Sequence, residues 1–503
     1  MSDALGALAA HLGYRLTPPQ VEAMAAAVAA TEPHAAALRA EPTLIDPDQG
    51  NAWSSGVRSP SVPSEGGTFS PVGLSWPLSP AEALVRLRAA HETLNCTIAF
   101  LDDRTPGDGP LANIPFAVKD VIDVAGVPTT AASLTRKDAP PAAESATVVA
   151  RLEAAGAVAI SKDTTTEFAV GGPHPPLTGA TRNPWDPRRW AGGSSMGTAA
   201  AVAVGAVPFG LGTDVGGSVR LPSAWCGLTG LKPTAGSVPR TGVVPLSWTA
   251  ETVGPIARDA ATVATVFDLI RGPDGRDPRA RELPPLVFPD VRGLRIALPG
   301  GYLTELCDSA VRAGVAELVD ALTAAGAVIV PGEIPGAERA LPIGYEIVFT
   351  EAAALHRIDA DRWDSYDPVT VARISQGITT PASDYLRALQ FRAELQAELD
   401  AVFAGADLII VPTTPATAPR LPDCTVTIDG ERYPLYAAQS RATMLGNLTG
   451  APGLAVPTGF APDGLPVSAL LIAPPHREGT VLAAARHYQE HTDHHRRRPP
   501  GFA

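Results

Sequence analysis

Uninterrupted apolar runs, alternating with stretches of helical spacing, repeat along most of this chain. Ile114–Val118 is a short apolar run and predicts a strand. Glu144–Ala155 (ESATVVARLEAA) has helical spacing, is stopped by Gly156, and is followed by the apolar AVAIS of the next strand. The later runs LRIALP (294–299), DLIIVP (407–412), GLAVP (453–457) and VSALLIA (467–473) are apolar apart from Arg295, Asp407 and Ser468. Strands covered on both faces have that pattern, because neither side meets water. Helical patterns at 308–325, 385–404 and 478–490 lie between and beyond them. The order predicts an α/β fold: one large domain with a mixed, mostly buried central sheet flanked by helices.

The two ends differ from this body. Residues 2–40 are Ala-rich, with Leu5, Leu8, Ala9 and Leu12 and then Val21, Met24 and Val28 at helical spacing; Thr17 before Pro18 and Pro19 marks a helix start. Residues 41–78 are rich in Pro, Ser and Gly without periodicity and predict a long loop. Ser79-Pro80-Ala81-Glu82 is a capping box with Pro at the first helical position, opening a helix to about Ala90. The expected organisation is an N-terminal helical segment and linker (1–78), a main domain (79–490) and a basic tail (491–503), with HHRRR at 494–498 solvated.

Composition then removes several classes of function. The formal charge of −13 argues against autonomous nucleic-acid binding, which needs a basic face. Four scattered cysteines, without a CxxC pair or a Cys/His cluster, fit a reducing cytoplasm and no metal site. Trp190–Thr213 carries no charge over a length that raises a membrane span, but its six glycines and Pro208 fit a buried helix feeding a buried strand better. A soluble cytoplasmic protein with no membrane contact is expected.

Candidate chemistry concentrates in residues 191–234. In DVGGSVR (214–220), Gly216 and Gly217 allow successive N–H groups to turn to one side beside Ser218, a nest for an oxyanion. The same residues also fit an ordinary Gly-rich turn. A second serine-bearing turn, GGSSMG (192–197), opens the apolar helix at about Thr198–Val204, and the strand VPFGLGT separates the two turns. Gly193-Ser194-Ser195-Met196-Gly197 also spells G-x-S-x-G, but the nucleophile elbow needs a strand directly before its serine, and loop sequence stands there. The histidines nearest Ser218, His174 and His356, are far away in sequence, so another base is needed. A desolvated lysine can serve, and Lys119, in IPFAVKD at the end of a buried-type strand, is the candidate. A strand-end lysine reaching solvent is the alternative for that position.

Lys119 in IPFAVKD, GGSS at 192–195, GTDVGGSVRLPSAWCG at 212–227, GLKPT at 230–234, PTTPATAP at 412–419 and GLPVSALLIAPP at 464–475 occur together and in order. This combination resembles the amidase signature family, from roughly residue 80 to 490. The resemblance implies the amidase signature fold and hydrolysis of linear carboxamides through an acyl-enzyme on Ser218. It also implies a triad of Lys119, Ser194 in a cis peptide bond, and Ser218. Backbone N–H groups of Val215, Gly216, Gly217 and Ser218 would then form the oxyanion hole, with Ser195, Asp214 and Arg220 in support. No cofactor or metal is implied; the partner is a small-molecule amide, and a homodimer is a family-level expectation. Phe168, Gly171, Gly172 and Met196 are expected to line the substrate pocket, with the helical region around 345–390. Met196 and Thr198 depart from the smaller residues usual in the family, which leaves the substrate open. Two other readings remain: the glutaminase component of a tRNA-dependent amidotransferase, and a non-catalytic binding protein that keeps the fold.

Overall fold

A computed structural model describes residues 2–11, 16–26, 28–29, 66–68, 74–421 and 425–502. Eleven strands build the central sheet: β1 (Thr97–Phe100), β2 (Pro115–Lys119), β3 (Val158–Asp163), β4 (Phe209–Asp214), β5 (Thr229–Lys232), β6 (Thr252–Ala257), β7 (Arg295–Ala297), β8 (Val328–Val330), β9 (Leu408–Pro412), β10 (Gly453–Phe460) and β11 (Pro466–Ile472). Their spatial order is β8-β7-β9-β11-β10-β5-β6-β4-β2-β3-β1. The sheet is mixed. β4, β2 and β3 are parallel neighbours, as are β8, β7 and β9, while the middle of the sheet, from β9 through β4, pairs antiparallel.

The uninterrupted apolar runs explain this layering. Every residue of β2, β3, β4, β6, β9 and β11 is buried, so helices cover both faces where the sequence is continuously apolar. One face packs Phe116, Leu211 and Val253 into the largest core cluster; the other packs Ala117, Ile160 and Ile256 against the apolar helix after the GGSS turn. The result is a single α/β domain of the expected class.

The helices that bear on the site are α1 (Pro80–Leu94), α2 (Thr147–Ala154), α3 (Met196–Ala203), α4 (Arg220–Cys226), α5 (Ala340–His356), α6 (Pro368–Thr379), α7 (Ala382–Gly405) and α8 (Thr443–Thr449). The capping box forms as its spacing predicts: Glu82 N–H donates to Ser79 Oγ at 3.3 Å, and Ser79 N–H donates to Glu82 Oε2 at 2.8 Å. α1 runs past Ala90 to Leu94, where Asn95 takes a left-handed conformation. α2 ends before Gly156, whose φ of +95° stops it.

The N-terminal helix that starts after Thr17 docks onto the main body. Met24 is buried in the largest core cluster, and Gln20 Nε2 donates to the Trp363 carbonyl at 2.8 Å. Of the expected loop over 41–78, residues 41–65 and 69–73 lie outside the described residues; Gly66–Thr68 pairs antiparallel with Val287–Pro289. The basic run at 494–498 is not a free tail. His494 Nε2 sits 2.8 Å from Glu317 Oε1, and the Arg497 guanidinium lies 3.8 Å from the Phe460 ring centre. Aromatic and acidic partners on the body supply what a solvated tail would take from water. Among the described residues no helix is long and apolar enough to cross a membrane; Trp190–Thr213 divides into a turn, α3 and β4.

Candidate active site

Lys119 is the last residue of β2, and its neighbour β4 ends at Asp214, so both lead to one end of the sheet. Lys119 is wholly buried, and its Nζ has three close oxygens: Ser194 Oγ at 2.6 Å, Thr213 Oγ1 at 2.8 Å and the Thr213 carbonyl at 3.3 Å. Burial, the dominant cause, brings Lys119 down from 10.5 to about 7; the charges of Glu251 and Asp214 pull the other way. Burial likewise pushes Glu251 up to about 7, against the pull of Arg240, the Leu246 N–H and Lys119. A neutral amine has two N–H groups and one lone pair. The Thr213 carbonyl can only accept, so in the neutral state the lone pair faces a hydroxyl, either Ser194 or Thr213.

Ser194 is presented by a turn of unusual backbone. The Gly193–Ser194 peptide bond is cis, and Ser195 N–H donates to the Ser218 carbonyl at 3.2 Å, tying the two serine-bearing turns together. Ser195 Oγ reaches the Thr213 carbonyl at 3.4 Å. The next strand must come close here: a Cβ on Gly212 would lie 2.6 Å from Ser195 Oγ. Ser194 and Ser218 line one cleft of about 580 Å³ empty volume, counted to its open mouth.

The turn that carries Ser218 is organised by one carboxylate. Asp214 Oδ1 accepts from the Gly217 N–H at 2.8 Å, and Oδ2 accepts from the Val219 N–H at 3.1 Å. Arg220 clamps the same carboxylate twice, Nη2 to Oδ1 at 2.9 Å and Nε to Oδ2 at 3.0 Å, with both side chains wholly buried. Burial alone would raise the Asp214 carboxyl; Arg220 outweighs it, with help from Lys232 and the Val219 N–H, and holds it well below the usual carboxylate range. Asn447 of α8 closes the set, donating to Asp214 Oδ1 at 3.0 Å and accepting from Arg220 Nη2 at 2.6 Å. Thr443 Oγ1 pins the Gly216 carbonyl at 2.7 Å. Asp214→Asn leaves the Arg220 charge buried without its counter-ion, so a loss of about 3–5 kcal/mol is expected in denaturant unfolding. A variant within about 1 kcal/mol of wild type would show that the pair does not hold the turn.

Ser194 and Ser218 line this cleft, with Lys119 buried behind Ser194, and residues 84–482 match the family described as Amidase. The chain belongs to the amidase signature family. It is 37% identical over 392 residues to AtzE, one of the subunits of the 1-carboxybiuret hydrolase of Pseudomonas sp. (strain ADP), covering 76% of this chain and 84% of that protein. It is 38% identical over 456 residues to the A-subunit of the glutamyl-tRNA(Gln) amidotransferase of Chloroflexus aggregans (strain MD-66 / DSM 9485), covering 84% of this chain and 90% of the relative. Native peptide amidase from Stenotrophomonas maltophilia superposes with a TM-score of 0.71 at 27% identity, over 84% of this chain and 96% of that one. This member of the amidase signature family is an amide hydrolase.

Within this amidase, the expected site residues are not all where the sequence suggests. Among the described residues, Val215, Gly216 and Ser218 make no hydrogen bond to the protein through their N–H groups, whereas the Gly217 N–H is turned to Asp214. Gly217 serves the turn instead: its φ is +126°, and a Cβ there would meet Thr443 Oγ1 at 2.5 Å. Of the four expected wall residues, Gly171 lines the cleft. Met196 does not; as the first residue of α3 it is fully buried in the cluster beneath, with Cys96, Trp190 and Ala199. Phe168 has a φ of +48°, which turns its ring onto His356 and Tyr366, at centroid distances of 4.4 and 5.1 Å. Gly172 is drawn to α6, its N–H 3.3 Å from Asp367 Oδ2. The residues that do form the wall include Ala169, Val170, Tyr345, Val348, Phe349 and Arg373, the last four from the helical region around 345–390. Thr213 and Asn447 were missed: Thr213 is an unremarkable strand residue, and Asn447 lies 233 residues from its partner. Among the described residues no group of His, Cys, Asp and Glu side chains is placed to hold a metal ion.

Proposed function

We propose that this amidase hydrolyses linear carboxamides through an ester on Ser218, with Ser194 passing the proton to neutral Lys119. The supporting observation is the 2.6 Å contact between Lys119 Nζ and Ser194 Oγ, inside a burial that brings the amine to about 7. Ser218 Oγ attacks the amide carbon, its proton moves to Ser194, and the Ser194 proton moves to Lys119. The oxyanion that forms takes up the unpartnered N–H groups of Val215, Gly216 and Ser218. The relay then runs backward and protonates the leaving amine as the C–N bond breaks, leaving an acyl ester. Water repeats the sequence on the ester, releases the carboxylic acid and returns the proton to Ser218. The three described cysteines are free and buried, which suits the reducing cytoplasm we assign to this reaction.

The acceptor must be uncharged to take a proton, so phosphonylation of Ser218 by a fluorophosphonate, with loss of fluoride, should speed up with pH through an apparent midpoint of about 7. Peptide mapping of the adduct and the rate profile test this together. No adduct on Ser218 would assign the nucleophile of this hydrolase to another group, and a rate that falls as the amine loses its charge would remove the proposed relay through Lys119. The relationship to the amidotransferase of Chloroflexus aggregans supports a second reading, glutamine hydrolysis within a complex. Glutaminase activity that arises only with a partner protein would favour it over a self-sufficient amidase.

A further inference from the structure

Lys119 is not the only buried group at its end of the sheet that can hold a proton. Thr213, which meets Lys119 Nζ through its hydroxyl and its carbonyl, pairs across the ladder with Val253; Asp214 pairs with Thr252, the first residue of β6. Side chains alternate in face along a strand, so the residue before β6, Glu251, returns to the face of Val253 and Thr213. Diagonal neighbours in such a ladder lie about 7–8 Å apart, a span that two long side chains can close. Glu251 is buried, with 3% exposure, and its carboxylate is poorly provided for. Oε2 accepts from the Leu246 N–H at 3.3 Å, and Oε1 is buried without a hydrogen-bond partner among the described residues. A charge left that bare in the interior is costly unless an opposite charge stands beside it. Burial works against the ammonium of Lys119; of the charges that favour it, Glu251 acts more strongly than Asp214.

The other charged groups around the two are already engaged. Asp214 is clamped by Arg220, with Lys232 nearby. Burial disfavours the charged form of Glu251 most, and Glu351 of α5 adds to it while taking the Thr249 N–H and the Tyr385 hydroxyl, each at 3.0 Å. Arg240 favours the charged form, but Asp277 holds that guanidinium at 3.0 and 3.2 Å. On the β3 side, Lys162 pairs with Asp120 at 3.0 Å, and Asp163 takes the Thr97 hydroxyl at 3.5 Å. Lys119 and Glu251 are left to balance each other. With one proton between them they are both charged or both neutral, and only the neutral pair contains an amine that can accept a proton. We propose that Glu251 is a positioning residue that governs the charge of Lys119, so that the lower pH limit of the reaction belongs to the pair and not to the lysine alone. This rests on the relay through Lys119.

The test follows phosphonylation of Ser218 by a fluorophosphonate against pH. Glu251→Gln keeps the size of the side chain and an acceptor for the Leu246 N–H but removes the charge, so the amine gives up its proton more readily. The midpoint should fall by about 1 unit, raising the rate near pH 6 by about 5-fold, while the high-pH plateau stays within about 3-fold of wild type. Glu251→Asp, with its charge drawn back, should fall between. Difference infrared spectra over the same range should contain the carbonyl band of a protonated carboxyl group that Glu251→Gln lacks. A midpoint that stays or rises in Glu251→Gln overturns the proposal. A lower plateau at an unchanged midpoint also overturns it and assigns Glu251 a merely structural role. A wild-type rate that falls as pH rises removes the relay itself, and this proposal with it. If Glu251→Gln does not fold, Glu251→Asp decides by the same criterion.

Discussion

Ser218→Ala is expected to lower turnover by at least about 10⁴-fold while the folded protein keeps its circular dichroism and its unfolding midpoint. The size follows from removing the atom proposed to bond to substrate, which no neighbour can replace. Ser194 Oγ is held on Lys119, and Ser195 Oγ is turned to the Thr213 carbonyl. The fold should survive because the Ser218 hydroxyl makes no hydrogen bond to the protein among the described residues, so its loss strands no buried donor or acceptor there. The backbone of the turn is held through Asp214, Arg220 and Thr443 instead. Single-turnover assays on an activated amide would measure the loss. Residual activity within about 100-fold of wild type would transfer the nucleophile to another group.

Lys119→Met separates catalysis from stability. A methionine of similar length keeps the packing but cannot accept a proton, so a loss of about 10³–10⁵-fold in kcat is expected. The fluorophosphonate reaction should also lose its rise through neutral pH. Stability should move the other way. The unfolded lysine titrates near 10.5 and the folded one near 7, so between these values the unfolded chain holds the proton more tightly. The folded chain therefore bears the full cost of the buried charge below pH 7 and sheds it as pH rises toward 10.5. Lys119→Met lacks that cost. It should be as stable as wild type or more so near pH 6, by up to about 4 kcal/mol, with the gap closing as pH rises. Denaturant midpoints at several pH values would measure it. A variant that is inactive and also strongly destabilised at pH 6 would mean that the amine supports the fold through its three oxygen contacts.

Legibility in the sequence followed burial. β9, β10 and β11 come from runs so uniformly apolar that only a covered strand accommodates them, and they form within a few residues of the predicted limits. β5 and β8 carry no comparable signal. β5 is TGLK, with a glycine and a lysine, and β8 is a three-residue strand with Val328 and Ile329 exposed. That Lys119 meets Ser194 was legible from the ordered motifs rather than from spacing, since the two are 75 residues apart. The cleft wall was the least legible part. Whether Met196 faces the cleft or the core depends on where α3 begins, and it begins at Met196 itself. Whether Phe168 faces substrate depends on a left-handed φ that no neighbouring glycine announces. Arg373 belongs to an amphipathic helix like any other; only contact with Val170, 203 residues away, gives it a direction.

The Asp214–Asn447 contact also has a meaning for the chain as it is made. A nascent polypeptide that has emerged through β6 already contains Lys119, Ser194 and Ser218. It still lacks the asparagine and the threonine that brace the turn from α8, and the strands β10 and β11 that complete the middle of the sheet. Translation must reach Asn447 before the Ser218 turn is braced, so a shorter nascent chain on the ribosome carries Lys119, Ser194 and Ser218 without the vise that holds the turn.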